Sequence, residues 1–350
     1  PPFSNEQLEA LALALMRGQQ RGEFEEKMEM NLALYYKELG RFRVNIFRQR
    51  GNVGLVFRLI KAEIQSVDQL QLPPIIKDIA MTKRGLVLVV GATGSGKSTS
   101  LAAMIDHRNS IHQGHIITVE DPIEFVHSHK KSLITQREIG FDTLSFQNAL
   151  KNTLRQAPDV ILIGEVRDTE TMEAAITFAE TGHLCIATLH SNNANQAIER
   201  IMNFFPVERH PQIYLQLSLN LRAIISQRLI PSLDGRRVPA LEIMLDTPRV
   251  KDLVKKAEID TLKEAMEQGV DEGCQTFDHV LFQLYKANKI SLEQALINAD
   301  SANNLRLKIK LEGLKGDDAV NALLDKHPSN QQSDAFKIQG SGNVVPIKKR

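Results

Sequence analysis

The chain has no tryptophan, only two cysteines, no long apolar run and almost no net charge. Each shortage removes a class of protein. Cys185 and Cys274 lie far apart in sequence. They make neither a disulfide framework nor a metal-ligand spacing, so both read as reduced packing residues of a cytosolic protein. No apolar stretch approaches the ~20 residues that span a bilayer. The opening Pro1-Pro2-Phe3-Ser4 has neither a charged n-region nor an apolar h-region, so it is no secretory signal. It also has no initiator Met, and a fragment of a longer chain is expected. A net charge of +1 offers no bulk basic character for nucleic acid. What remains is a soluble globular composition, 42% hydrophobic and 24% charged, over 350 residues, with room for two domains.

Two periodicities divide the chain. Ser4 followed by Gln7 is a capping-box pattern, and Leu8, Leu11 and Leu15 then recur at helical spacing, predicting a helix over about 5–17. From Arg41 the period becomes two: Phe42, Val44 and Ile46 alternate with Arg41, Arg43 and Asn45. Gly51-Asn52 reads as a turn, and Val53 to Ile60 as the returning strand. Residues 1–72 are thus expected to form a small α+β unit with few strands for a stable sheet, as though its beginning were missing. Pro73-Pro74 breaks the chain, a short helix from Ile75 to Met81 follows, and 73–84 is the expected linker.

From Gly85 onward strand and helix alternate. Leu86–Val90, Ile116–Val119, Val160–Ile163 and Leu184–Leu189 are expected parallel strands. Each runs into polar residues: Gly91, Glu120-Asp121, Gly164-Glu165 and His190-Ser191. In open α/β sheets ligands bind beyond the carboxyl ends of the strands, so one edge bearing four such ends is the expected site. After Pro206 the pattern is mainly helical, with one strand-like run from Val238 to Leu245. Residues 313–350 are polar and read as a mobile tail, apart from a helix around 319–324.

The stretch Gly91-Ala92-Thr93-Gly94-Ser95-Gly96-Lys97-Ser98 fits the phosphate-binding pattern G-x-x-x-x-G-K-[ST] at every fixed position. It follows an apolar strand and opens a helix from Thr99, which is the context that separates it from a chance glycine-rich turn. Such a loop turns backbone amides toward phosphate oxygens, and the helix N-terminus adds positive potential. Lys97 would reach the β- and γ-phosphates and the Ser98 hydroxyl would hold Mg²⁺. A nucleoside triphosphate is the expected ligand.

Three further segments carry chemistry. Residues 155–168 bring an apolar strand to Glu165, the logic of a Walker B carboxylate that holds Mg²⁺, often through water. The bland alternative is a buried strand with a solvated Glu. Residues 117–125 cluster Glu120, Asp121 and Glu124 at a strand end. Hydrolysis needs one carboxylate to orient water, separate from the metal ligand; a solvated acidic turn is the alternative. His183 and His190 bracket a buried strand, either to sense a γ-phosphate or as a hydrogen-bonded structural pair.

Together and in this order, these motifs resemble the secretion and type IV pilus ATPases, the hexameric motors that include the PilT retraction ATPases. The resemblance runs from about Arg41 to about Leu311, and the stretches 182–197 and 300–310 are most similar to the branch of PilT paralogues. It implies an α/β fold with a RecA-like P-loop NTPase core over 85–312, its C-terminal helices included, behind a PAS-like N-terminal domain. It implies ATP and Mg²⁺ as cofactors and a homo-hexamer peripheral to the cytoplasmic face of the inner membrane. PilT and the platform protein of the pilus machine are the implied partners, and nucleic acid is not one. By resemblance Glu124 matches the catalytic glutamate, Glu165 the Walker B residue, and His183 with His190 the histidine pair. Arg43 and Arg58 match arginines that reach phosphates across a subunit or domain boundary, and Arg155 a further interface arginine. By themselves Arg43 and Arg58 read as the charged face of a hairpin. PilT carries the segment Ala-Ile-Arg-Asn-Leu-Ile-Arg-Glu-Gly-Lys; here residues 249–258 read Arg-Val-Lys-Asp-Leu-Val-Lys-Lys-Ala-Glu. Two functions therefore stand open: an ATP-driven retraction motor, and a PilT-dependent regulatory member of the ring. A DNA-translocating motor is a third, disfavoured by the near-neutral charge.

Overall fold

A computed structural model describes residues 2–60 and 63–312. The expected tail, with its helix around 319–324, lies outside the described residues.

The N-terminal unit packs two helices on a three-stranded antiparallel sheet, order β1-β2-β3. Helix α1 (Asn5–Leu15) starts at the expected capping box, in which Ser4 Oγ accepts from the Gln7 N–H and Gln7 Oε1 accepts from the Ser4 N–H. Helix α2 (Gly18–Lys27) and strand β1 (Glu29–Tyr36) are additions to the sequence reading. The run Leu32-Ala33-Leu34-Tyr35-Tyr36 blurs the alternation that would have marked β1. Strands β2 (Gly40–Gln49) and β3 (Asn52–Ile60) form the expected hairpin. Its turn is Arg50-Gly51, one residue earlier than expected. Both residues take positive φ, 49° and 78°, as a two-residue turn between twisted strands requires, and Asn52 pairs with Gln49 instead of turning. Val44 and Ile46 are buried under the helices with Ala12, Met16 and Phe24. Arg43 lies on the opposite face, where Arg58 is its direct cross-strand partner.

Val67, Leu72, Ile76 and Ile79 are buried in the core of the following sheet, so the chain is anchored there from Val67 onward. Helix α3 (Ile75–Ala80) packs against α4 (Lys97–Ile111), the helix that opens at the glycine loop.

The large sheet has seven strands: β4 (Gly85–Val90), β5 (Gly114–Glu120), β6 (Ser132–Glu138), β7 (Val160–Ile163), β8 (Leu184–Leu189), β9 (Leu221–Pro231) and β10 (Arg237–Leu245). Their order is β10-β9-β4-β8-β7-β5-β6. Strands β4 to β9 pair in parallel with one another, and β10 runs antiparallel to β9. The four expected parallel strands are in place. Strands β6 and β9 were not expected. The run Leu221–Pro231 follows a helix, His210–Asn220, without a break, and its apolar residues show no period that separates strand from helix. Helices cover both faces, so β4, β7 and β8 are buried at every residue. Leu86, Leu88 and Val90 face one core layer, Val87 and Val89 the other. A smaller cluster seats Phe277, Leu281 and Leu305 of the C-terminal helices against Ile230, Val238 and Ala240. No helix among the described residues is long and apolar enough to cross a membrane.

Candidate active site

The C-terminal ends of β4, β5, β7 and β8 open onto a cleft of about 420 Å³. It is lined by Lys97 and Ser98 from the glycine loop, Glu120 and Glu124 from the acidic loop, and Glu165 and His190 from the next two strand ends. A second, larger cavity of about 790 Å³ lies on the other side of the loop and shares Gly96 and Thr99 with the first.

The loop needs its glycines for space as well as for φ. Gly91 has φ 150°, and a Cβ there would stand 2.5 Å from the Gln227 carbonyl oxygen and from Ser95 Oγ. Gly96 has φ 89°, and its Cβ would stand 2.8 Å from Gln227 Nε2. Gln227 lies on β9 and is the floor of the loop, with its Oε1 accepting from Ser100 Oγ at 2.7 Å. Thr93 and Gly94 reach the cleft from the tip, while Ala92 and Gly91 turn their carbonyls to Lys97. Lys97 Nζ donates to Gly91 O at 2.7 Å and to Ala92 O at 3.0 Å. Partial burial lowers its pKa, against the raising influence of Glu165 and Glu124, which places both carboxylates within electrostatic reach of it. Ser95 Oγ is buried without a hydrogen-bond partner. A buried hydroxyl without a partner is unusual, and it stands within the glycine loop beside Gly91.

The carboxylates are in three different conditions. Glu120 Oε1 accepts from Thr118 Oγ1 at 2.6 Å and from Gln136 Nε2 at 3.3 Å, and burial pushes its pKa up. It is engaged by its own strand and by the neighbouring β6. Glu165 is held by Arg167 at 2.6 Å and by His190 Nε2 at 3.2 Å. Its backbone neighbours are pinned to β8: the Gly164 carbonyl accepts from Thr188 Oγ1, and the Val166 N–H donates to Thr188 O at 2.9 Å. Glu124 is exposed at the cleft.

Four predicted residues lie elsewhere. His183 precedes β8 while His190 follows it, so six residues of extended strand, about 3.3 Å each, separate them. His183 Nδ1 sits 3.1 Å from Thr181 Oγ1 and 3.2 Å from Phe178 O, at the far edge of the sheet. It is not part of this cleft, because a strand delivers only its carboxyl end there. Arg155 is exposed in the short turn before β7, also at the far edge. Arg43 and Arg58 do not line the cleft of their own chain.

The model of the Type II/IV secretion system protein family matches residues 26–305. The chain belongs to that family. It is 54% identical over 323 residues to the type IV pilus ATPase PilU of Pseudomonas aeruginosa, covering 92% of this chain and 85% of that protein. It is 43% identical over 304 residues to the PilT retraction ATPase of the same organism, covering 87% and 88%. A crystal structure of the pilus retraction motor PilT with bound ADP superposes with a TM-score of 0.80 at 42% identity, over 84% of each chain. The DotB ATPase of Legionella pneumophila superposes at 0.74 with 26% identity, over 85% of this chain and 84% of that one.

For this member of the secretion ATPase family, sequence reasoning missed three residues of the cleft region. Arg167, two residues after Glu165, also reaches Asp121 at 3.4 Å; its place within the segment 155–168 was the available signal. His127 lines the cleft with its Nδ1 unpartnered, and burial pushes its pKa down to about 4, which keeps the ring neutral. Gln227 carried no signal, because nothing local marks a glutamine on an unrecognised strand as the floor of a distant loop.

Proposed function

We propose that this chain is a Mg²⁺-dependent ATPase, one subunit of a hexameric ring that powers or assists retraction of a type IV pilus. The observation that carries the reading is the convergence of Lys97, Ser98, Glu124, Glu165 and His190 on one cleft beside a glycine loop. The core is RecA-like over 85–312, the N-terminal α+β unit is its PAS-like partner, and the ring works at the cytoplasmic face of the inner membrane with PilT and the platform protein.

The residues present fit a magnesium nucleotide. Ser98 stands in the first turn of α4, Glu165 faces it across the cleft, and Ser95 Oγ lacks a partner. Among the described residues no group of three or more metal-binding side chains stands together. Bound Mg²⁺ would neutralise charge on the β- and γ-phosphates. Lys97 would leave the Gly91 and Ala92 carbonyls for those oxygens. Glu165, freed from Arg167 and His190, would help hold the ion on the cleft wall facing Ser98. Glu124, which has no side-chain partner among the described residues, would accept a proton from the attacking water.

Phosphate release measured with and without Mg²⁺, for the wild type and Lys97→Ala, tests the assignment. Hydrolysis in the variant should fall about a thousandfold or more, with nucleotide binding greatly weakened. Full activity in Lys97→Ala would remove its basis. A second reading, a PilT-dependent ring component, rests on residues 249–258. They lie mostly on the helix Pro248–Lys255, which buries Val250, Leu253 and Val254 and leaves its basic residues outward. Retraction in cells lacking PilT separates the two.

A further inference from the structure

Among the described residues one ion pair joins the N-terminal unit to the nucleotide domain: Arg41 Nη2 lies 3.6 Å from Glu138 Oε2. Arg41 is on β2, two residues from Arg43 and on the same face of the sheet. Glu138 is the last residue of β6 and is 2% exposed. The same oxygen, Oε2, accepts from the Ile123 N–H at 3.2 Å. Ile123 is itself buried, and the next residue is Glu124. The start of the acidic loop is tied to the same strand end, since Glu120 pairs with Glu138 and its carbonyl accepts from the Ile139 N–H at 2.9 Å. The stretch leading into Glu124 is therefore attached to the tip of β6 at two points, Glu120 and Ile123, and the second attachment runs through a carboxylate shared with the N-terminal sheet.

We infer that Glu138 is a positioning residue that couples the place of the N-terminal sheet to the place of the acidic loop and so of Glu124. The inference rests on reading Glu124 as the base that acts on water. The physical reason is the isolation of the carboxylate. Burial works against its ionised form, and the Ile123 N–H and the charges of Arg41 and Arg43 work for it. A buried charge that loses its partner becomes costly and must reorganise. When the N-terminal sheet carries Arg41 away, Glu138 loses its guanidinium, and the hydrogen bond that holds Ile123 changes with it. The sheet that bears Arg43 and Arg58 can then report its position to the hydrolytic loop without touching nucleotide.

Hydrogen exchange and ATPase kinetics on the full chain test this together, with Arg41→Met, Glu138→Gln and the double variant. Each single substitution should speed exchange across 120–126 by roughly fivefold and leave 91–98 within about twofold of wild type. The kcat for ATP should fall roughly tenfold with KM within about twofold, since nucleotide contacts are untouched. The double variant should lose no more than either single one, because both break the same link. Arg41→Lys keeps the charge and should restore most of the loss. If Glu138→Gln fails to fold, the half-exposed Arg41 series carries the test alone. Unchanged exchange over 120–126 in Arg41→Met, or additive losses in the double variant, would overturn the coupling. If exchange responds while the wild type hydrolyses no ATP, the coupling stands and the ATPase reading falls.

Discussion

The two sheets of this chain differ in how far the chain itself covers them. All residues of β4 are buried between helices. On β3, by contrast, Val56, Phe57 and Leu59 are 54%, 46% and 54% exposed, and Arg58 sits among them. The central sheet also supplies the strand ends that open onto the nucleotide cleft, whereas the N-terminal sheet supplies none of its lining. A sheet covered within its own chain holds its strand-end loops on fully buried strands. A sheet left half open offers charges and apolar area to something else. The arginines of the N-terminal sheet thus stand apart from the cleft of their own chain, while the carboxylates at the central strand ends line it.

The sharpest way to break this division is at the carboxylates. Glu124→Gln should lower kcat by about 10²–10⁴ while leaving ATP binding in place, because an amide accepts no proton. Glu165→Gln should instead raise the Mg²⁺ concentration needed for half-maximal rate. The opposite pattern would exchange the two roles. The arginine face is tested by mixing. Arg58→Ala subunits keep an intact glycine loop, and Lys97→Ala subunits keep an intact arginine. Combined in one ring, the two inactive proteins should regain part of the wild-type rate if Arg58 serves a neighbour's nucleotide. No recovery, with mixed rings confirmed by mass, would confine Arg58 to its own subunit.

Stability should follow the same division. Ile161 is fully buried at the centre of β7, and Ile161→Ala should cost about 2–5 kcal/mol in denaturant unfolding. A further prediction concerns a charge inside the central sheet. Glu242 on β10 is 3% exposed, accepts from the Ala194 N–H at 2.7 Å and from Ser226 Oγ at 3.0 Å, and burial pushes its pKa up from 4.5 to about 7. A folded pKa above the unfolded one means stability that is full below about pH 4.5 and is lost as pH rises through about 7. Between pH 4.5 and 8 the chain should lose on the order of 3 kcal/mol from this group, and Glu242→Gln should flatten that slope. A wild-type stability that climbs across the window, unchanged by Glu242→Gln, would contradict it. The smallest effect is expected outside: Leu59→Ala should change the unfolding free energy by no more than about 0.5 kcal/mol.

Much of the fold was legible where physics is local. The capping box at Ser4 and Gln7, the four apolar runs of the parallel sheet and the strand-loop-helix context of the glycine loop all depend on near neighbours. The misses share a cause. Strand β9 is apolar without period, so nothing in Leu221–Pro231 says strand until β4 pairs beside it. The turn at Arg50-Gly51 slipped by one because two hairpin registers suit the same residues. His183 and His190 looked alike as a pair in sequence, and only the direction of β8 tells that one lies at each edge.

Residue order along the chain determined which groups could do chemistry here: a lysine on a phosphate loop, a serine beside it, and carboxylates at the ends of apolar strands. These follow from side-chain type and short-range pattern, which survive any arrangement of the rest. The tertiary structure alone decided which of them meet. It set Glu124 free while Thr118 and Gln136 engage Glu120, placed Arg167 and His190 on Glu165, put Gln227 under the loop, and joined Arg41 to Glu138. Those contacts join residues brought together by strand order and direction, which no local propensity encodes.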